Sequence, residues 1–135
     1  MSRSQTLHQI KTSLALRAPQ AESLQKLADA LSQNPAILQT GERDLTALLS
    51  ALNAQFPTLE AFEREFPSLC FALATGVGKT RLMGAFISYL QQAYGINNFF
   101  VLAANLTMYN KLITDFTPNT PKYVLKGIQQ FVFQP

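Results

Sequence analysis

Eight residues at positions 73–80, Leu-Ala-Thr-Gly-Val-Gly-Lys-Thr, have the composition of a loop that binds phosphate groups. Gly76 and Gly78 allow the backbone N–H groups to turn inward toward a phosphate, and a following helix adds its positive N-terminal end. Lys79 would then contact the β- and γ-phosphate oxygens as the catalytic cation, and the Thr80 hydroxyl would bind Mg²⁺. The alternative is a glycine-rich turn that happens to precede a lysine.

The residues on either side of this loop predict a strand, a helix and a second strand. Residues 69–74 are continuously apolar and too few for a helix, as in a parallel strand that is covered on both faces. A helix is predicted from 79 to about 94, with Gly95 as its stop. Residues 99–104 form a second apolar run of the same length, so the three segments together predict a βαβ unit.

The first 66 residues predict helices. Apolar residues recur at helical spacing over 21–33 and from about 42 to 55, and a short helix is predicted over 57–66. The apolar positions that we interpret as core are Leu24, Leu27, Ala28 and Leu31 in the first stripe, and Leu45, Leu48, Leu49 and Leu52 in the second. A further helix is predicted for 106–116, and the segment 122–135 is ambiguous between strand and helix.

The composition limits the class of protein. The chain has 135 residues, which allows one domain at most, and 14% of them are charged, where about 25% is typical. We therefore expect part of its surface to contact other protein. The longest apolar runs have six residues, whereas a membrane-spanning helix needs about 18 or more, and the N-terminus has no signal-peptide pattern. With one cysteine and no internal disulfide, we expect a cytoplasmic protein.

The charge is divided unevenly along the chain. Residues 1–66 contain six basic and seven acidic residues, whereas residues 67–135 contain five basic residues and one acidic residue. A modest basic excess suits polyanions such as nucleotides or DNA, although it is far from the charge density of a nucleic-acid-binding arm.

Two segments resemble a known family. Residues 73–80, followed by Arg81-Leu-Met, resemble motif I of the superfamily-two helicases, in the branch that contains the R subunits of type I and type III restriction enzymes. Members of this branch commonly have a large apolar residue where Leu73 stands. Residues 99–107, Phe-Phe-Val-Leu-Ala-Ala-Asn-Leu-Thr, resemble motif Ia, with which the family contacts the backbone of the DNA strand that it tracks.

A third segment, Leu16-Arg17-Ala-Pro-Gln20, resembles the part of these enzymes in which a glutamine reads the adenine edge. An amide suits that task because it can donate and accept at once. The other interpretation of this segment is the start of a helix.

The resemblance implies an α/β fold, with a helical N-terminal segment over 1–66 and a partial RecA-like P-loop parallel sheet over 67–135. It implies ATP and Mg²⁺ as cofactors, and DNA and a modification (methyltransferase) subunit as partners. The site residues that it implies are Thr75, Gly76, Val77, Gly78, Lys79, Thr80, Arg81 and Gln20 for the nucleotide, with Thr80 for the metal, and Asn105, Thr107 and Lys111 for DNA.

A helicase motor also needs an acidic Asp-Glu motif after a second strand, and this sequence has none. After Thr80 the one carboxylate is Asp115, which follows a predicted helix. We therefore expect the N-terminal portion of a larger ATP-dependent DNA enzyme, truncated before that motif, with little hydrolysis of its own. The alternatives are a non-enzymatic remnant that binds a partner and a small nucleotide kinase.

The histidine and the cysteine of the chain do not indicate a metal site or a catalytic nucleophile. His8 and Cys70 are the one histidine and the one cysteine, so the sequence offers neither a metal cluster nor a Cys–His nucleophile pair. Because Cys70 lies inside the first predicted strand, we expect its thiol to be an inert part of the core.

Overall fold

The computed structural model describes residues 2–38, 44–62, 66–73 and 78–102, together with residues 110, 111, 113 and 116. These residues contain four α-helices and a short 3₁₀ helix, Pro35–Leu38. The α-helices are Arg3–Ser13 (α1), Ala18–Gln33 (α2), Leu45–Gln55 (α3) and Lys79–Tyr94 (α4). The chain divides into two compact units: the first contains Met1–Leu24 and Leu73–Pro135, and the second contains Gln25–Ala72.

The N-terminal end of α1 is fixed by a capping box, in which two residues hydrogen-bond each other's backbone N–H groups. The Ser2 hydroxyl accepts a hydrogen bond from the Gln5 backbone N–H at 3.1 Å, and the Gln5 side-chain oxygen accepts from the Ser2 N–H at 2.9 Å. Leu7 and Ile10 are buried one turn apart, and α1 packs against α4 within the first unit. The sequence reasoning missed this helix, although the Ser-x-x-Gln pattern and the apolar spacing both indicate it.

Helix α4 has the bounds that its sequence predicts. It begins after Gly78 and ends at Gly95, and both glycines have a left-handed backbone conformation. The Gly95 N–H donates to the Gln91 carbonyl at 3.0 Å, which closes the last turn. At its C-terminal end the Tyr94 ring lies 4.3 Å below the Arg3 guanidinium, a cation–π contact that adds to the packing of α1 on α4.

The second unit has its own apolar core. Ala30, Leu48, Leu52 and Phe62 are buried, and they are surrounded by partly buried Ala36, Ile37, Leu45, Leu49, Phe56, Leu59 and Leu69. Buried Asn34 holds the ends of two helices together, because its amide nitrogen donates to the Ala30 carbonyl and to the Gln55 side-chain oxygen, each at 3.0 Å. The predicted core positions of α2 are all buried in the chain, but the α2 residue in this cluster is Ala30, which the predicted stripe omits; of the α3 stripe, Leu48 and Leu52 are buried and Leu45 and Leu49 partly buried.

Two helix predictions need correction at their ends. Helix α3 begins at Leu45 and not near 42, because the Asp44 carboxylate accepts from the Ala47 N–H at 3.1 Å and caps it there. The short helix predicted over 57–66 is absent from its described residues, 57–62 and 66. The Asn53 side chain donates to the Pro57 and Leu59 carbonyls, at 3.3 and 3.0 Å, and holds that segment as a turn.

The predicted sheet is wrong. The described residues form helices and contain no strand, so the α/β class and the RecA-like parallel sheet are not seen. Residues 69–73 and 99–102, which the sequence assigns to strands, are irregular. Phe100 is 88% exposed and Leu102 is 77% exposed, so this apolar run is not covered on both faces. An apolar run forms a strand only when a neighbouring strand completes its hydrogen-bond ladder, and no described residue does so.

The prediction of Cys70 as buried core is also wrong, because its thiol is exposed and free. It lies in the same irregular segment, which is not part of a sheet. Of the predicted helix 106–116, the described residues 110, 111, 113 and 116 are helical. None of the described helices has the length and apolar character that crossing a bilayer requires.

The core of the second unit depends on Leu52, whose side chain is completely buried. We predict that Leu52→Ala lowers the free energy of unfolding by about 2–5 kcal/mol, because it removes buried methyl groups and leaves a cavity. Leu102→Ala, the same change at an exposed position, is the matched control and should cost less than about 0.5 kcal/mol. Urea unfolding followed by far-ultraviolet circular dichroism measures both. Equal effects of the two substitutions would contradict the assignment of this core.

Candidate functional site

The candidate site lies at the N-terminal end of α4, in the first unit. Gly78 precedes the helix with φ 79° and ψ 55°, and Lys79 and Thr80 form its first turn. The first N–H groups of an α-helix have no partner within the helix, and the dipole makes this end positive. The exposed Lys79 side chain adds a full positive charge at the same place. The described part of the site therefore combines the features that bind an anion.

Gln20 comes from the first turn of α2 and contacts the start of α4. Its amide nitrogen donates to the Gly78 carbonyl at 2.9 Å, and its amide oxygen accepts from the Arg17 N–H at 2.9 Å. The side chain is 3% exposed. Both ends of the amide are thus engaged within the chain, so reading an adenine edge would require Gln20 to release these contacts. The adenine role stays a prediction.

Arg81 also connects α4 to the N-terminal residues. Its Nη1 donates to the Leu14 carbonyl at 2.9 Å, at the residue that caps the C-terminal end of α1. A guanidinium there satisfies a terminal carbonyl and lies at the negative end of the helix dipole. The sequence suggested Arg81 as a nucleotide contact, and in the structure its guanidinium holds the end of α1.

Lys111 and Thr80 are brought together although 31 positions separate them. The Lys111 Nζ donates to the Thr80 hydroxyl oxygen at 3.0 Å. The sequence assigned Lys111 to DNA and Thr80 to a metal ion, and nothing in the spacing of the two residues indicated this contact. A second ammonium group therefore lies beside the first turn of α4.

The remaining predicted site residues are outside the described part of the chain. These are Thr75, Gly76 and Val77 of the loop, with Asn105 and Thr107 of the segment predicted to contact DNA. Among the described residues, no group of three or more histidine, cysteine or acidic side chains is placed to hold a metal ion.

A family of known proteins matches nearly the whole chain. The model of the family described as "Type III restriction enzyme, res subunit" matches residues 13–133. The chain belongs to this family. The match includes Gln20, the loop at 73–80 and Lys111, so each part of the candidate site lies within the res-subunit region. The resemblance to restriction-enzyme R subunits inferred from motif I is thereby confirmed. No curated protein and no solved structure matches the chain.

The start of α4 requires glycine at position 78 for two reasons. Its positive φ costs other residues about 1–2 kcal/mol, and a Cβ there would lie 2.3 Å from the Gln20 amide nitrogen. We predict that Gly78→Ala destabilises the chain by more than Gly95→Ala, because Gly95 has a similar φ of 68° but open space around it. Thermal and urea unfolding of the two variants measure the difference.

A double substitution separates the two reasons. If the Gln20 side chain causes the additional cost, Gly78→Ala introduced into Gln20→Ala should cost only as much as Gly95→Ala does in the native chain. An additional cost that persists without the Gln20 side chain would contradict the close approach of these two residues.

Proposed function

We propose that this chain is the adenine-nucleotide-binding part of an ATP-dependent, helicase-like restriction subunit, and that it binds the nucleotide phosphates at the start of α4. The observation that carries the proposal is the left-handed Gly78 directly before α4, with Lys79 exposed beside the first-turn N–H groups, which have no partner within the helix. Membership of the res-subunit family supports ATP as the ligand. The remaining loop residues, Thr75, Gly76 and Val77, complete the proposed phosphate site.

The charges around the proposed site favour a triphosphate. Lys79 is next to Gly78, and the Lys111 ammonium group lies 3.0 Å from the Thr80 hydroxyl oxygen. After Thr80 the sequence contains one carboxylate, Asp115. Two ammonium groups and a helix N-terminus thus face little opposing negative charge from this part of the sequence.

The described residues fit Mg²⁺ as an ion that arrives with the nucleotide. Mg²⁺ usually keeps several waters and takes one or two protein ligands together with substrate phosphates. Thr80 offers one hydroxyl oxygen, and the described residues offer no acidic cluster that would hold the ion alone. When bound, the ion would neutralise phosphate charge, while Lys79 and the first-turn N–H groups orient the phosphates.

DNA and a modification subunit are the partners that we propose for the complete enzyme of this family. Asn105, Thr107 and Lys111 are the proposed contacts to the DNA backbone. A nucleotide kinase is disfavoured, because a kinase lid needs arginines and the sequence has none after Arg81. The 135-residue chain should hydrolyse ATP slowly at most, since the one carboxylate after Thr80 is Asp115 and the chain has no Asp-Glu motif to position the attacking water.

Nucleotide binding should depend on Lys79. We predict that Lys79→Ala weakens ATP binding by about tenfold or more, because it removes a full charge from a site where charge-assisted hydrogen bonds contribute about 1.5–3 kcal/mol. Isothermal titration of the full chain with ATP and Mg²⁺ is the measurement. Lys26→Ala removes the same charge from an exposed position in the second unit and serves as the control.

Equal ATP affinity of the native chain and Lys79→Ala would refute the proposed site. In a phosphate-release assay, the native chain should not exceed the Lys79→Ala baseline. Turnover that depends on Lys79 would instead mean that Asp115, or another group, positions the attacking water.

The contact between Lys111 and Thr80 predicts competition with the metal. An ammonium group and Mg²⁺ cannot share one hydroxyl oxygen, since two like charges at that distance repel each other. We predict that Lys111→Met lowers the Mg²⁺ concentration that half-saturates nucleotide binding by about three- to tenfold. Titrating Mg²⁺ at a fixed concentration of a fluorescent ATP analogue gives that value, with Lys26→Met as the control. An unchanged Mg²⁺ midpoint would show that the contact does not compete.

A further inference from the structure

The side chain of Gln20 makes contacts that neither of its sequence interpretations includes. Its amide oxygen accepts from the Arg17 N–H at 2.9 Å, within the first turn of α2. Its amide nitrogen reaches across 58 positions of sequence to the Gly78 carbonyl, also at 2.9 Å. With 3% of its surface exposed, this amide is a buried link between α2 and the first residue of the α4 turn. Breaking either hydrogen bond costs free energy, because a buried donor or acceptor is then left unsatisfied.

The Gly78 carbonyl is held from two sides. It accepts from the Leu82 N–H at 3.1 Å, which is the first hydrogen bond of α4, and from Gln20. The two donors fix the direction of the Gly78 carbonyl. Because the peptide group is planar and trans, the carbonyl of Gly78 and the N–H of Lys79 point in opposite directions within one plane. The Gln20 side chain therefore also sets the direction of the Lys79 N–H.

That N–H belongs to the turn proposed to bind phosphate. The Gln20 nitrogen approaches so closely that a Cβ on residue 78 would lie 2.3 Å away, so this contact requires glycine at the start of α4. A donor group contributes most to binding when it already points at its ligand, because no binding energy is then spent on ordering it.

We propose that Gln20 is a positioning residue for the phosphate-binding turn: it orients the peptide between Gly78 and Lys79, and it thereby raises affinity for any triphosphate without selecting the base. This proposal rests on the proposed function, since it assigns a role within that site. A positioning role and a base-reading role differ in the set of ligands whose binding Gln20 strengthens. Loss of a base reader weakens binding of one base, whereas loss of a positioning residue weakens binding of ATP, GTP and inorganic tripolyphosphate alike.

Two substitutions separate the two contacts of the side chain. Gln20→Met has a similar length, carries no charge and loses both hydrogen bonds. In its ionised form, Gln20→Glu keeps an oxygen that can accept from the Arg17 N–H, but it has no donor for the Gly78 carbonyl. Because only Gln20→Glu adds a charge, a loss of affinity seen in both variants does not come from repulsion of the phosphates.

The experiment measures the dissociation constants of ATP, GTP and tripolyphosphate for the native chain, Gln20→Met, Gln20→Glu and Lys79→Ala, with folding verified by circular dichroism. We expect each Gln20 variant to bind all three ligands about two- to tenfold more weakly, with an unchanged ratio of ATP to GTP affinity. A loss confined to ATP would overturn the proposal in favour of base reading. Native affinity in Gln20→Met, whose side chain can make neither hydrogen bond, would overturn the positioning role.

The same series tests the proposed function separately. If the native chain binds none of the three ligands, or if Lys79→Ala binds them as well as the native chain does, the phosphate site itself is refuted and the role of Gln20 is refuted with it. If Lys79→Ala loses affinity while both Gln20 variants keep it, the phosphate site stands and only the positioning role is refuted.

Discussion

The hydrogen bond from the buried Gln20 side chain to the Gly78 carbonyl fixes the start of α4 to the N-terminal part of the first unit. It joins two segments 58 positions apart, and the bond from Arg81 to the Leu14 carbonyl joins two others 67 positions apart. The first bond is accepted by Gly78, the residue that precedes α4, and the second is donated by Arg81 in its first turn. The N-terminal residues are therefore part of the environment of that turn, which the motif at 73–80 alone does not indicate.

The helices could be predicted because their signals are local. Each signal lies within one or two turns of sequence: the apolar period of α4, the glycine after it and the apolar stripe of α2. The structure has these helices at or near the predicted bounds. The Ser2 and Gln5 capping pattern indicates the start of α1 in the same local way. Local capping chemistry is thus a better guide to the start of a helix than composition alone.

The strands could not be predicted in the same way, because a strand is defined by its neighbour. The run at 99–102 is as apolar as a buried strand, yet Phe100 and Leu102 are exposed. An apolar sequence indicates that burial of the segment would be favourable, but it does not indicate which other segment will cover it. The contacts of Gln20 and Lys111 were hidden for the same reason, since they join segments that are distant in sequence.

The exposed thiol of Cys70 gives the second unit a spectroscopic handle. The chain has no tryptophan, and the tyrosines that the structure describes, Tyr89 and Tyr94, belong to the first unit. Their fluorescence reports on that unit. A maleimide dye would attach to the single cysteine and report on the second, so the unfolding of each unit could be followed at its own wavelength. The same exposure allows two chains to crosslink in air, so a reductant belongs in the storage buffer and is removed directly before the dye is added.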